Sequence, residues 1–322
     1  MAEPRPSRRQ TPFYVGLVLI LAALPLGWFV FLHQPPPPPP PPKPPAAPVS
    51  LPEEEKALEL ELTEVTGTVE VKEGDGSWRK ASVGTALRRN DKVRTDDGSY
   101  AVLVGGEVVE FRMDPGTEVS VEDLKPTLSR VRLANGMATA IVRSGKRHTF
   151  EVKAAKSDAV AKLQEAGAFT MTNNGEGTVA VGTREGEVTL VGQGKVVIVR
   201  AGQQSVIRPG QAPSEPSPVP TSLLLKVDWP AERTRREKDL IVRGQTSPGS
   251  RVQVNDVRVT ADADGRFERK VKLKEGSNTI DVRAVGVSRV EQRDKAELIV
   301  DTRPPSLKTD PDIWNQASDG AH

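Results

Sequence analysis

Few residues in this chain have the type and spacing that chemistry needs. Its histidines are His33, His148 and His322. No two are close, so metal-ligand spacing of the HExxH kind is absent. His148 lies in a patterned region and could act as a general base. No GxSxG-like nucleophile motif accompanies it, so an ordinary sheet residue is expected. Glu185 and Glu187 would share one face of a strand, as a carboxylate pair for acid/base work. Solvated strand charge is the plainer account. Asp262-Ala263-Asp264-Gly265 looks like half a calcium loop. The glutamate that closes such a loop is not in place, and a hairpin turn is expected instead. Gly175-Glu176-Gly177 is followed by no helical pattern, which excludes a phosphate loop. RTRREK (233–238) could touch phosphates or anionic glycans, and reads first as a charged loop. The chain has no cysteine. Disulfides, thiolate zinc sites and cysteine nucleophiles are thereby excluded. No catalytic, metal or cofactor-binding residue is nominated and no cofactor is expected. The expectation is a non-enzyme whose binding residues stay open.

The elements that would carry any site come next. The chain has 322 residues and a net charge of +2, too balanced to argue for nucleic acid. Hydrophobic residues make up 36% and aromatics 4%. That is thin for one large core and points to small β-rich units. Phe13 to Leu32 is an uncharged run of the length that spans a bilayer as a helix. Tyr14 and Trp28 fit interfacial anchoring. Arg5, Arg8 and Arg9 precede the run, and the positive-inside bias makes 1–12 a short cytoplasmic tail. A cleaved signal peptide would need a small-x-small site after the run. Phe31, Leu32, His33 and Gln34 offer none, so an uncleaved anchor over 13–32 is expected. Residues 33–62 form a proline-rich and acidic linker. Pro35–Pro42, Pro44 and Pro45 favour polyproline II, reaching roughly 40 Å over residues 35–48. EEEKALELEL (53–62) is either a short helix or a first strand.

From 63 to 212 the pattern has period two, with glycine and Asn-Gly turn signals. TGTVEV (66–71), YAVLVG (100–105), VVEFRM (108–113), TEVSVE (117–122), RVRLANG (130–136) and HTFEVKA (148–154) read as strands. So do GTVAVG (177–182), GEVTLVG (186–192) and KVVIVRAG (195–202). Many short strands at this spacing argue for a sandwich, barrel or solenoid. KSDAVAKLQEAG (156–167) has helical composition between strands, and its state is left open. Gly67, Val69 and Val71, then Trp78, then Gly84, Leu87, Asp91, Val93, Arg94 and Thr95 follow one pattern. Ala101, Leu133, Gly136, Phe150 and Val152 continue it. Val179, Val181, Gly186, Val188, Leu190 and Ala201-Gly202-Gln203 close it. Over roughly 65–208 this resembles the FecR domain. The resemblance implies an extracytoplasmic β module, a solenoid-like roll or sandwich, that binds protein partners. Where that family carries R-G-T-x-F, this chain has Glu165-Ala166-Gly167-Ala168-Phe169.

PSEPSPVP lies within a linker, 213–221. Residues 222–303 then show seven strands: LLLKVDW (223–229), KDLIVRG (238–244), RVQVN (251–255), VRVTA (257–261), RFERKVKL (266–273), NTIDVRAV (278–285) and KAELIVD (295–301). That count fits an immunoglobulin-like sandwich. Gly244, Thr246, Pro248-Gly249, Val252, Val254, Asp264-Gly265 and Phe267 resemble bacterial immunoglobulin-like modules. Val271, Leu273, Glu275-Gly276, Asn278 and Val282 extend the match. It implies a spacer or adhesion role. Residues 304–322 read as a polar tail.

The fold class expected is all-β: a transmembrane helix, a proline-rich linker, a FecR-like module and an immunoglobulin-like sandwich. The function expected is that of a membrane-anchored periplasmic binding or scaffold protein of the bacterial inner membrane. Partners would be envelope proteins, peptidoglycan or polysaccharide, with no nucleic acid. One alternative is a transmembrane signalling regulator of the FecR anti-sigma type. Against it, about twelve residues before the membrane are too few for a folded domain. A TonB-like energy transducer is the other, and its βαβ-type C-terminal domain does not match the seven-strand pattern.

Overall fold

Apolar residues at every second position drive this chain into sheets, because each strand can then bury one face. The computed structural model describes residues 11–32, 59–145 and 147–303. The tail before Thr11, the proline rod, His33 and His322, the first part of the acidic stretch and the polar tail from Ser306 lie outside the described residues. The chain divides into two units, residues 1–53 and 54–322.

In the first unit, α1 (Thr11–Leu32) is a 22-residue helix with Pro25 inside it and no charged residue. Its Leu19, Leu24 and Leu26 stand exposed. Yet among the described residues no helix is long and apolar enough to cross a membrane. The spanning role expected for 13–32 is therefore not established by the fold.

The second unit is almost entirely β. Strands β1 (Leu60–Thr66), β2 (Val69–Lys72), β3 (Arg79–Lys80), β4 (Ala86–Leu87), β5 (Lys92–Thr95), β6 (Tyr100–Gly105), β7 (Val109–Met113) and β8 (Glu118–Lys125) precede a long β9 (Leu128–Val142). Then come β10 (Thr149–Ala154), β11 (Val160–Leu163), β12 (Gly167–Asn173), β13 (Val179–Glu185), β14 (Glu187–Gly192), β15 (Lys195–Arg200), β16 (Gln203–Ile207) and β17 (Ser217–Pro218). These strands form two sheets. One runs β4-β1-β6-β7-β9-β12-β13-β16-β17, antiparallel throughout. The other runs β3-β2-β5-β8-β9-β10-β11-β14-β15, with β9 and β10 parallel. Their facing sides share one core of Val, Leu and Ala, in which the rings of Phe111 and Phe150 stack at 5.4 Å.

Strand β9 belongs to both sheets. Its first half pairs with β8 and β10, and its second half with β7 and β12. The change of sheet falls at Gly136, whose φ is +106°. A Cβ there would lie 2.4 Å from Thr117 Oγ1 and 2.6 Å from Thr117 Cα, so no side chain fits. Thr117 fills the space instead. Its hydroxyl accepts from Met137 N at 3.1 Å and donates to Met137 O at 3.0 Å. Asn173 is fully buried, and its amide donates to Leu133 O, Ala134 O and Ala155 O at 2.9–3.1 Å. These side chains satisfy backbone groups where the strand leaves one ladder for the other.

The C-terminal module adds β18 (Leu225–Val227), β19 (Thr234–Arg235), β20 (Asp239–Thr246), β21 (Arg251–Val254), β22 (Val257–Thr260), β23 (Arg266–Lys272), β24 (Gly276–Val285) and β25 (Glu291–Val300). They form a three-stranded sheet, β18-β20-β23, and a five-stranded sheet, β19-β25-β24-β21-β22. A second core of Leu240, Val252, Phe267, Ile280 and Leu298 lies within the module. All seven expected strands appear there. The extra one, β19, has two residues and pairs parallel to β25.

Two open readings resolve as strand. KSDAVAKLQEAG holds β11, which bridges β10 and β14. Pairing on both sides outweighs its helical composition. The acidic stretch enters β1 at Leu60. The linker prolines are not free either, since Ser217–Pro218 pairs with Gln203 and Gln204.

Gly136→Ala should lower the stability of the N-terminal module by roughly 2–3 kcal/mol, from strain at a positive φ plus the displaced Thr117. A urea titration against the unsubstituted chain checks this. An unchanged midpoint would show that β9 changes sheet without strain there.

Candidate functional site at the junction of the two modules

None of the residues singled out for chemistry is poised for it. His148 is 3% exposed. Its Nδ1 lies 3.0 Å from Pro126 O and its Nε2 lies 3.0 Å from Ser129 Oγ. A carbonyl only accepts, so Nδ1 carries the proton and Nε2 accepts from the serine. Burial pushes the imidazole below its ordinary value, against the opposing pull of the Pro126 carbonyl. Glu185 ends β13 in one sheet and Glu187 begins β14 in the other. Each exposed carboxylate meets its own arginine, Arg184 and Arg200 respectively. Asp262 Oδ1 accepts from the amides of Asp264 and Arg266, which makes the half calcium loop a hairpin turn. Asn173 and Asn174 hold the Gly175–Gly177 turn through their side-chain oxygens. In RTRREK, Arg235 pairs with Glu237, and Lys238 lies 3.6 Å from Glu275. Among the described residues no group of three metal-ligating side chains is close enough to hold an ion.

The structure builds a different place, where the C-terminal module meets the N-terminal one. Four arginines cross the junction. Arg289 sits in a tight turn with φ +67°, unusual for a residue with a side chain. Its guanidinium donates to Asp114 Oδ1 at 2.9 Å and to Thr139 Oγ1 at 2.8 Å. Arg251 is 8% exposed and donates to Pro115 O. Burial pulls its pKa down to about 10, with Asp114 acting in the other direction. It therefore keeps its charge at neutral pH. Arg258 reaches Asp97 at 3.3 Å, and Arg208 reaches back to Ala263 O at 3.1 Å. Between them the backbones close up. A Cβ on Gly182 would lie 2.8 Å from Val287 Cγ2, so only glycine admits the Val287 turn.

Beside this contact lies a cleft of about 470 Å³. Phe169 and Val287 give it an apolar wall, and Tyr100, Arg112, Arg184 and Arg289 give it polar sides. Arg112 pairs with Glu110 on its own strand, and Arg184 with Glu185. Burial raises the Tyr100 hydroxyl above its ordinary value and keeps it a donor at neutral pH. At the edges, Asp114 Oδ2 and Thr183 Oγ1 are buried without a hydrogen-bond partner. Each of the three guanidiniums is already paired with a carboxylate, Arg112 with Glu110, Arg184 with Glu185 and Arg289 with Asp114, so the cleft offers an apolar wall beside balanced charge.

Sequence reasoning did not find this site. Its arginines stand at 112, 184, 251, 258 and 289 with no local pattern. The basic run it did find, 233–238, lies elsewhere.

No family model and no curated protein matches the chain. The FecR and immunoglobulin-like resemblances therefore rest on the quoted residues. Two crystal structures of a candidate anti-sigma factor from Parabacteroides distasonis are similar to it, at TM-score 0.35 and 16% identity. The match covers 39% of this chain and 59% of those chains. The chain thus spans less than two thirds of their length. At that score the likeness carries no argument about function.

Two outcomes follow. His148 is held neutral, so its contribution is complete above its unfolded pKa of about 6.5 and is lost as pH falls below it. His148→Gln should flatten the stability profile as pH falls below about 6.5. The loss from Glu110, Glu122 and Glu151 should stay. Burial opposes ionisation of all three, but their basic partners win and hold them below the usual carboxylate range. Their contribution is lost only below about pH 4.5. Stability measured across pH on both chains checks this. Arg258→Ala with Arg289→Ala should loosen the junction and speed proteolysis in 213–221 with both cores intact. Limited digestion followed by mass spectrometry reads it, and unchanged digestion would show that apolar contact alone holds the modules.

Proposed function

We propose that this chain is a non-catalytic binding protein of the bacterial cell envelope, anchored at α1, with its β modules presented on the outer side of the inner membrane. The observation that supports it best is the junction. Two modules are latched into one body by charged hydrogen bonds, and both contribute walls to one cleft. A buried arginine is expensive unless its donors are used, so such a latch favours a fixed relative placement. A fixed placement suits a surface that a partner must recognise. The uncharged sequence of α1 and the basic residues before it support the anchor and its orientation. The partner would be an envelope protein that places an apolar side chain against Phe169 and Val287, with peptidoglycan or polysaccharide as the other ligands.

A transmembrane signalling regulator of the FecR type is the second reading, and a TonB-like transducer the third. One experiment separates them. A photo-cross-linker is placed at Arg184 in the full chain, expressed in its native cells, and the captured proteins are identified. Capture of an envelope protein, lost on Arg112→Glu, supports the binding reading. Capture of a sigma factor or another cytoplasmic regulator overturns it in favour of signalling. Capture of an energy-coupling complex favours the transducer. Carbonate extraction of the same membranes tests the anchor, and release of the chain into the soluble fraction would overturn it.

A further inference from the structure

The second sheet of the N-terminal module ends at β15, whose sequence is KVVIVR. On the outer face of that sheet, ion pairs cross from strand to strand. Glu70 meets Arg94, Glu122 meets Arg132 and Lys153, and Glu151 meets Arg130 and Lys162. Between the last two strands the ladder thins to the single pair of Glu187 with Arg200. The last strands place Val160, Val191 and Val196 side by side on the outer face, with Ile198 next along β15. Val196 is 57% and Ile198 37% exposed.

The edge itself is open. Among the described residues β15 pairs as a strand with β14 alone, in unbroken register, while its two ends meet Glu215 at Lys195 and Gln203 at the Arg200 amide. Natural edge strands carry protection: brevity, proline, a bulge or an inward charge. The other sheet has such a device, since β17 with Pro218 lies along β16. The opposite edge strands, β3 and β4, have two residues each. The interior of β15 has none of these. Its core-facing residues, Val197 and Val199, are buried valines.

The register of the open side can be read. Arg200 N donates to the Gln203 side chain and not across to β14. Backbone groups alternate sides along a strand. The amides of Val196 and Ile198 therefore face the open edge with that of Arg200. These three positions are symmetric about Ile198. A two-fold antiparallel pairing through Ile198 matches these positions, with the Gln203 side chain giving up the Arg200 amide to the incoming strand. Ile198 lies opposite Ile198 of a second copy, and Val196 lies opposite Arg200. The Arg200 stem covers the valine while its head stays with Glu187. Lys195 falls beyond the paired positions, so no like charges meet directly.

We propose that two copies of this chain associate edge to edge through β15, with Ile198 facing its own counterpart. The chain lacks cysteine, which makes the test clean. Opposed residues in such a pair have Cα atoms about 5.5 Å apart, within reach of a disulfide. Ile198→Cys in the full chain should therefore form a covalent dimer on mild oxidation. Val83→Cys, at an exposed site elsewhere, should stay monomeric. A mixture of Val196→Cys and Arg200→Cys chains should cross-link faster than either alone. Sedimentation across a concentration series should show reversible dimers that Ile198→Lys abolishes, with the thermal midpoint retained. A monomer at all concentrations with no Ile198→Cys cross-link overturns the proposal. So does a dimer that survives Ile198→Lys.

Discussion

Strand β9 has to serve two sheets, and the N-terminal module depends on how it passes between them. A strand leaving one ladder for another loses hydrogen-bond partners for a residue or two. In the interior each loss costs about 1–3 kcal/mol. Gly136 supplies the turn in the backbone, and Thr117 occupies the volume that a side chain would need. The Thr117 hydroxyl then serves the Met137 amide and carbonyl, and Asn173 serves carbonyls on β9 and beyond β10. Buried polar side chains thus stand in for a missing strand. They also set how the sheets register, because β7, β8, β10 and β12 all pair with β9.

The second constraint acts between modules. Arg251, Arg258 and Arg289 are all on the C-terminal side and reach carboxylates or carbonyls on the other. Arg251 and Arg258 are shielded from water, so removing their acceptors would leave poorly solvated charges and the contact resists partial opening. The close approach at Gly182 and Val287 depends on glycine as much as on charge. The same approach creates the cleft, because the Val287–Arg289 turn stands over β12 and β13 without filling the space beside Tyr100 and Arg112. The candidate site is therefore a consequence of docking and belongs to neither module alone.

Charge is distributed differently over the outer face of the second sheet. Acidic and basic residues pair across neighbouring strands over most of it, as suits a face in water. At β14 and β15 the pattern turns to valine and isoleucine, with Glu187 and Arg200 as the last pair at one end. Both halves use period-two alternation, so the strands look alike in sequence. The difference lies in which residues share the outer face, and that depends on strand order.

Most strands were legible in the sequence because alternation and turn glycines are local signals. YAVLVG became β6 over the same residues, and the C-terminal strands matched within a few positions. The wholly buried β12, GAFTMTN, was not legible, since a strand covered on both faces shows no alternation. KSDAVAKLQEAG was ambiguous because its short alternation was masked by good helix formers, and pairing with β10 and β14 decided it. The sequence by itself determined that the chain is β-rich, that it lacks cysteine chemistry and that a long uncharged run lies near its N-terminus. Only the tertiary structure decided that His148 is locked between Pro126 and Ser129, that Glu185 and Glu187 part into different sheets, and that distant arginines converge on one junction. Those outcomes depend on contacts between residues far apart along the chain, and no local spacing encodes them.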